Sequence, residues 1–299
     1  MNNNEALILL ALSLSGGQGK TTCTFGLGLK AAALEIPTLL IDADPQYNLT
    51  TYLGLELKAS DPTLLEVLKS DDPAVLEDAI YPVPGRSPHL FLIPSDRALN
   101  TAKQVLSSHP NPAVVLKRRL KPVMKDFKLI VIDSPPQRDH ISYAGIGAAH
   151  HVVIPCEAHS KGVGSFIESW LLLEECRESE SFSGQFLGVI PFRAKLAGNH
   201  YTLETRAGIN AIKSFLLENQ VDLNTIISPI LESEVFKRCT NYGELPSESQ
   251  NKRLSPKQLR ELEYPLDVVL HRLGLLPELP DGPVLPNWEE TTPVAEVVK

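Results

Sequence analysis

Along the first 160 or so positions, short unbroken apolar runs alternate with stretches whose apolar residues return every three or four places. An unbroken run fits a strand buried on both faces, and the longer spacing fits a helix with one buried face. Residues 6–13, 38–42, 89–94, 129–133 and 151–155 are therefore expected as strands, and 21–33, 63–69, 97–106 and 113–126 as helices. The alternation continues with a helix at 164–178, a strand at 186–190, a helix at 203–219 and a strand at 225–230. This repeat predicts an α/β fold: one doubly wound, mainly parallel sheet flanked by helices on both faces.

Later the pattern changes. Segment 241–255 is polar and rich in turn formers, Pro256 stands where a helix can begin, and 257–273 reads as a terminal helix interrupted at Pro265. From Pro277 onward proline and acidic residues leave little apolar surface to bury. Residues 277–299 are thus expected to form a loosely ordered, Pro-rich acidic C-terminal tail on a single domain spanning 1–276. A chain of 299 residues, 43% of them apolar, is long enough for one such core.

The formal charge of −8 argues against a surface that is basic throughout, though not against a local basic patch. The cysteines Cys23, Cys156, Cys176 and Cys239 show no metal-ligand or CxxC spacing, which fits reduced thiols in a cytoplasmic protein. The first apolar run is too short to cross a bilayer and follows no positive charge, so neither a membrane segment nor a signal peptide is expected.

The segment richest in chemistry is Ser15-Gly16-Gly17-Gln18-Gly19-Lys20-Thr21-Thr22, between an expected strand and an expected helix. Its three glycines let the backbone turn tightly, so that successive N–H groups can converge on phosphate oxygens. The following helix aims its positive end at the same anion. Lys20 is placed to neutralise the β- and γ-phosphates of a nucleotide, and the Thr21 hydroxyl to complete a Mg²⁺ shell. Asp133 ends an apolar strand, where a carboxylate can orient magnesium-bound water. Asp42 and Asp44 stand two apart at another strand end and can share a face; capping the turn before Pro45 is the plainer alternative.

Where a standard phosphate loop has its first glycine, this one has Leu14. The variant resembles the ParA/MinD family of deviant Walker ATPases, whose loop reads Lys-Gly-Gly-x-Gly-Lys-Thr-Thr. Further matches follow in the family's order: Leu39-Leu40-Ile41-Asp42-Ala43-Asp44-Pro45-Gln46-Tyr47-Asn48, Leu92-Ile93-Pro94-Ser95, and Val131-Ile132-Asp133-Ser134-Pro135-Pro136. The resemblance covers about residues 6–230. It implies ATP and Mg²⁺ as cofactors. Asp44 would orient the attacking water, Asp42 would assist through the metal shell, and Thr21 and Asp133 would serve the metal. Ser228-Pro229-Ile230 and Ile190-Pro191-Phe192 lie where relatives hold the base, so Pro229 is a candidate nucleotide contact, although Pro191 and Phe192 depart from the usual polar pattern.

In the resembled family the first loop lysine reaches the partner's nucleotide across an ATP-bound homodimer. Here that position is Ser15, too short and uncharged for the task. Lys161, on the loop after the strand ending near Pro155, is the expected substitute, because ligand sites gather at strand C-terminal ends. A solvated surface lysine is the plain alternative, and Lys195 and Lys213 are weaker substitutes. A subgroup of the family, the McdA proteins concerned with carboxysome positioning, is similar in lacking the loop lysine and using a distant one.

The resemblance therefore implies an ATPase switch whose dimer binds nucleoid DNA nonspecifically and positions a cargo, carboxysomes first, with hydrolysis triggered by a cargo-bound adaptor protein. Lys252, Arg253, Lys257 and Arg260, with Lys237, Arg238 and Arg272, are candidates for phosphate contacts; an ordinary solvated face interspersed with Glu248, Glu261 and Glu263 is the alternative. The acidic, proline-interrupted C-terminus is unlike the basic amphipathic helix of membrane-bound relatives. Plasmid or chromosome partition is the close alternative function. An ATP-dependent small-molecule synthetase of the same superfamily, and a nucleotide binder without hydrolysis, are the rivals from other classes.

Overall fold

A computed structural model gives the structure and describes residues 5–250 and 254–286. The candidate DNA-binding residues Lys252 and Arg253, and positions 287–299 of the expected tail, lie outside the described residues.

The elements run β1 (Leu7–Ala11), α1 (Lys20–Ala33), β2 (Thr38–Asp42), α2 (Asn48–Tyr52), α3 (Leu64–Lys69), α4 (Pro73–Asp78), β3 (Tyr81–Pro82), β4 (Leu90–Ile93), α5 (Ala102–Ser107), α6 (Val115–Leu120) and β5 (Leu129–Asp133). They continue with α7 (His140–Ala148), β6 (His151–Glu157), α8 (Ser160–Glu178), β7 (Gln185–Ala194), the hairpin β8 (Leu196–Ala197) and β9 (His200–Tyr201), α9 (Leu203–Glu218), β10 (Ile230–Leu231), α10 (Glu234–Asn241), α11 (Pro256–Glu261) and α12 (Tyr264–Arg272).

Eight strands form one sheet in the order β10-β7-β6-β1-β5-β2-β4-β3, parallel throughout except for β3. Alternate residues of one strand face opposite layers. Ile8 and Leu10 join a core with Ile130, Ile132 and the α5 to α8 side chains, while Leu9 and Ala11 join another with Leu40, Val131, α1 and α12. Glycines allow the closest approaches: a Cβ on Gly26 would stand 2.7 Å from Leu266, and one on Gly28 2.6 Å from Leu40. Parallel register sets Ala11 and Asp42 on either side of Asp133, bringing the ends of β1, β2 and β5 to one edge.

The sheet and its flanking helices are as expected; several elements differ in detail. The stretch expected as one helix at 113–126 is instead a 3-10 turn at Pro112–Val114, α6, and a 3-10 turn at Lys121–Val123, because Pro122 cannot continue α6. The expected strand at 225–230 shrinks to β10 and a single bridge from Ile226 to Val189, since Pro229 has no N–H for a ladder. Helix α7 is invisible to the sequence pattern: it carries Gly145 and Gly147, and a Cβ at Gly147 would meet the Ala113 carbonyl oxygen at 2.1 Å. Packing, not helix propensity, dictates glycine there. Among the described residues no helix is long and apolar enough to cross a membrane.

Candidate nucleotide site

The loop from Ser15 to Gly19 leaves β1 and enters α1 at the sheet's C-terminal edge. Gly17 has φ 82° and Gly19 φ 96°, left-handed conformations that a side chain strains. A Cβ on Gly19 would also lie 2.6 Å from the Phe192 ring. The loop borders a cleft of about 270 Å³ lined by Gly16 through Thr22, Asp44, Gln46, Asn48, Tyr52, Pro136, Phe192 and Arg193.

Lys20 is only 6% exposed, and its Nζ donates to the Ser15 carbonyl at 3.0 Å. Burial lowers its pKa, while the nearby Asp133 and Asp44 charges resist that shift. Ser15 itself is half-buried and does not line the cleft. Gln18 is buried, and its Oε1 accepts the Glu157 N–H at 2.9 Å.

The three aspartates occupy different environments. Asp133 is 1% exposed, and neither carboxyl oxygen has a hydrogen-bond partner of ordinary geometry. Burial, then the Asp42 charge, pushes its pKa up to about 8, against the pull of the neighbouring Thr21 hydroxyl and Lys20. A buried carboxylate so poorly satisfied is costly by itself and suits a divalent cation. Asp44 lines the cleft, accepts the Gln46 N–H at 2.9 Å, and is shifted upward by burial. Asp42 is fully buried and does not line the cleft. Its Oδ2 accepts from the Thr50 N–H and hydroxyl, both at 2.8 Å, and its Oδ1 from the Asp44 N–H at 3.2 Å. The Ser95 hydroxyl donates to the Asp44 carbonyl at 2.8 Å, and its N–H to the Thr50 hydroxyl at 3.0 Å. Asp42 and Ser95 thus fix the turn that presents Asp44.

The other expected residues lie further out. Lys161 is exposed in the first turn of α8 and does not line its own subunit's cleft. Pro229 is buried next to Ile230, which lines a neighbouring cleft of about 320 Å³ together with Thr22, Tyr52, Phe192, Arg193 and Phe236. Lys257 stands 3.9 Å from Glu261, and Arg260 is exposed one turn along the same helix. Arg193, which borders both clefts, gives little sign of itself in the sequence beyond its place directly after Phe192. The exposed cations Lys117, Arg118, Lys121, Lys125 and Lys128 form a compact basic run before β5 that is equally absent from the sequence candidates.

Comparison with known proteins identifies the arrangement. The family model described as an AAA domain matches residues 8–180. The chain is 38% identical to the maintenance of carboxysome distribution protein A of Synechococcus elongatus, over 90% of this chain and 99% of that protein. It is 42% identical to the protein of the same name from Gloeothece citriformis, over 89% and 96%. A solved complex of Cyanothece McdA with ATP superposes with a TM-score of 0.81 at 42% identity, covering 91% of this chain and 98% of that one. The chain therefore belongs to the ParA-like family of P-loop ATPases, within the group of the carboxysome-distribution McdA proteins.

Proposed function

We propose that this protein is an ATP-driven positioning switch for carboxysomes. MgATP closes two copies into a dimer, the dimer holds DNA without regard to sequence, and an adaptor on the cargo triggers hydrolysis and release. The observation that carries the reading is one cleft lined by the glycine loop, Lys20 and Asp44, with the poorly satisfied Asp133 buried behind it beside Lys20 and Thr21. Similarity along nearly the whole chain to proteins named for carboxysome distribution supports the choice of cargo.

In this reading Gly16 to Thr22 hold the phosphates through main-chain N–H groups, and Lys20 leaves the Ser15 carbonyl for the β- and γ-phosphates. Thr21 and Asp133 would hold Mg²⁺, which would supply positive charge against the phosphates when bound. Asp44 orients water toward the γ-phosphate, and Asp42 acts from behind by fixing the Asp44 turn and adding its charge beside Asp133. Adenosine occupies the neighbouring cleft beside Ile230 and Pro229. Lys161, exposed and outside its own cleft, serves the nucleotide of a second copy in place of the lysine that Ser15 replaces. Residues 1–276 act as one ATPase domain, with the remainder as an appended tail.

Two basic segments suit DNA phosphates: the exposed run from Lys117 to Lys128, and the exposed α11 cations Lys257 and Arg260, which Lys252 and Arg253 precede in the sequence. The test is ATPase turnover of the purified chain with DNA and a carboxysome-bound partner, compared with turnover on adding small carboxylic acids. Stimulation by DNA plus partner is expected. Stimulation by a small acid alone makes the protein a synthetase.

A further inference from the structure

Strand β7 carries one residue more than its neighbour can pair. Ile230 of β10 faces Phe192 and Leu231 faces Ala194, leaving Arg193 as a bulge between them. Arg193 has φ 51°, a left-handed conformation disfavoured for any residue with a Cβ. Bulges of this kind re-aim side chains, often beside functional sites. Here the bulge aims the side chain into the wall shared by the phosphate cleft and the neighbouring cleft, where Thr22 and Phe192 also stand.

The guanidinium is held there by the Glu157 carboxylate. Arg193 Nη1 donates to Glu157 Oε1 at 2.7 Å, and the guanidinium carbon lies 5.4 Å over the Phe192 ring. The other Glu157 oxygen pairs with His159 Nε2 at 2.6 Å, and His159 Nδ1 accepts the Gly162 N–H in the first turn of α8. Glu157 is also tied by its N–H to Gln18 of the phosphate loop. An acidic side chain thus stands beside a site built for a polyanion, with its charge met by a cation that also borders that site.

We infer that Arg193 is a nucleotide-binding residue acting within its own subunit, one that exchanges the Glu157 carboxylate for phosphate oxygens when a nucleotide enters. This rests on the nucleotide-site reading above. The cation restores to the cleft part of the charge that Ser15 does not supply. A guanidinium suits such an exchange, because its fork of donors matches phosphate as well as carboxylate. The exchange also frees Glu157 toward His159, linking occupancy of the cleft to the turn that carries Lys161.

The test is a double-mutant cycle on the full chain, reading MgATP, MgADP and AMP affinity by calorimetry at protein concentrations held below dimerisation. Arg193→Ala is expected to weaken MgATP by on the order of tenfold to a hundredfold, the size of a charge-assisted hydrogen bond, and AMP by much less. Glu157→Gln releases the guanidinium and is expected to tighten MgATP, whereas the double variant binds like Arg193→Ala alone. Arg193→Gly, which relieves the left-handed backbone, is expected to melt no lower than wild type while still losing MgATP affinity. This keeps the test valid where the alanine variant folds poorly. If Arg193 is only the counter-ion of Glu157, the loss in Arg193→Gly comes from the unmasked Glu157 charge, and adding Glu157→Gln restores wild-type MgATP affinity; that recovery overturns the inference. Wild type that is folded yet binds no MgATP overturns the nucleotide-site reading as well.

Discussion

Gln18 accepts the backbone N–H of Glu157 at 2.9 Å, so the residue between Gly17 and Gly19 ties the phosphate loop to the end of β6. A buried N–H deprived of its acceptor costs about 1–3 kcal/mol. Gln18→Ala is therefore expected to lower the melting temperature and to weaken MgATP binding by loosening the loop. Gln18→Glu, which keeps an acceptor, should restore the melting temperature in part. An unchanged melt in Gln18→Ala would show the tie to be idle.

Asp133 has both carboxyl oxygens buried and short of hydrogen-bond partners, and a cation is the natural complement. Asp133→Asn is expected to abolish the part of ATP affinity that depends on magnesium while leaving binding in EDTA within about a factor of three, since less than ~1 kcal/mol then separates the two proteins. Paired titrations with and without Mg²⁺ read this directly. Equal magnesium dependence in both proteins would place the metal elsewhere.

Lys30 on the nucleotide helix meets two carboxylates of the C-terminal segment, Glu263 at 2.9 Å and Asp267 at 3.0 Å. One cation cannot neutralise both, and burial raises the Asp267 pKa despite Lys30. A carboxyl with a raised folded-state pKa contributes stability that is complete below the ordinary carboxylate range, near pH ~4, and is lost as pH climbs through the folded value. Asp267→Asn is accordingly expected to gain melting temperature relative to wild type between acidic and neutral pH, with the difference vanishing near pH ~4. Glu263, which also accepts the Ser247 N–H, should tolerate no such change. Melting curves across pH decide the matter.

The run Lys117, Arg118, Lys121, Lys125 and Lys128 presents five exposed cations against two in α11, where Lys257 already has Glu261 near it. Alanine at Lys117, Lys121 and Lys125 is expected to weaken DNA retardation and to flatten its logarithmic salt dependence by about one unit for each phosphate that no longer meets a cation. Alanine at Lys257 and Arg260 should do less. The reverse ranking would assign DNA binding to the C-terminal surface.

Gly147 tests how packing chose the sequence of α7. Its Cβ would enter the Ala113 carbonyl at 2.1 Å, so Gly147→Ala should destabilise the protein by about 1–3 kcal/mol in urea melts, despite alanine's better helix propensity.

Residue order alone is enough to specify the parallel sheet and the phosphate loop. Apolar runs such as Leu129–Asp133 are short-range signals of a doubly buried strand, and the glycines before Lys20 declare a backbone shape that side chains forbid. Elements whose residues answer to distant neighbours are not legible in this way. Helix α7 hides behind glycines placed for Ala113, and the run at 225–230 looks like a strand until Pro229 meets β7. It takes the folded chain to distinguish Asp133, left short of partners, from Asp42, whose oxygens are taken by Thr50 and the Asp44 N–H. Strand-end aspartates look alike in one dimension. Which of them is available to a cation, and which arginine a bulge turns into the cleft, depends on segments far apart in the chain packing against one edge of the sheet.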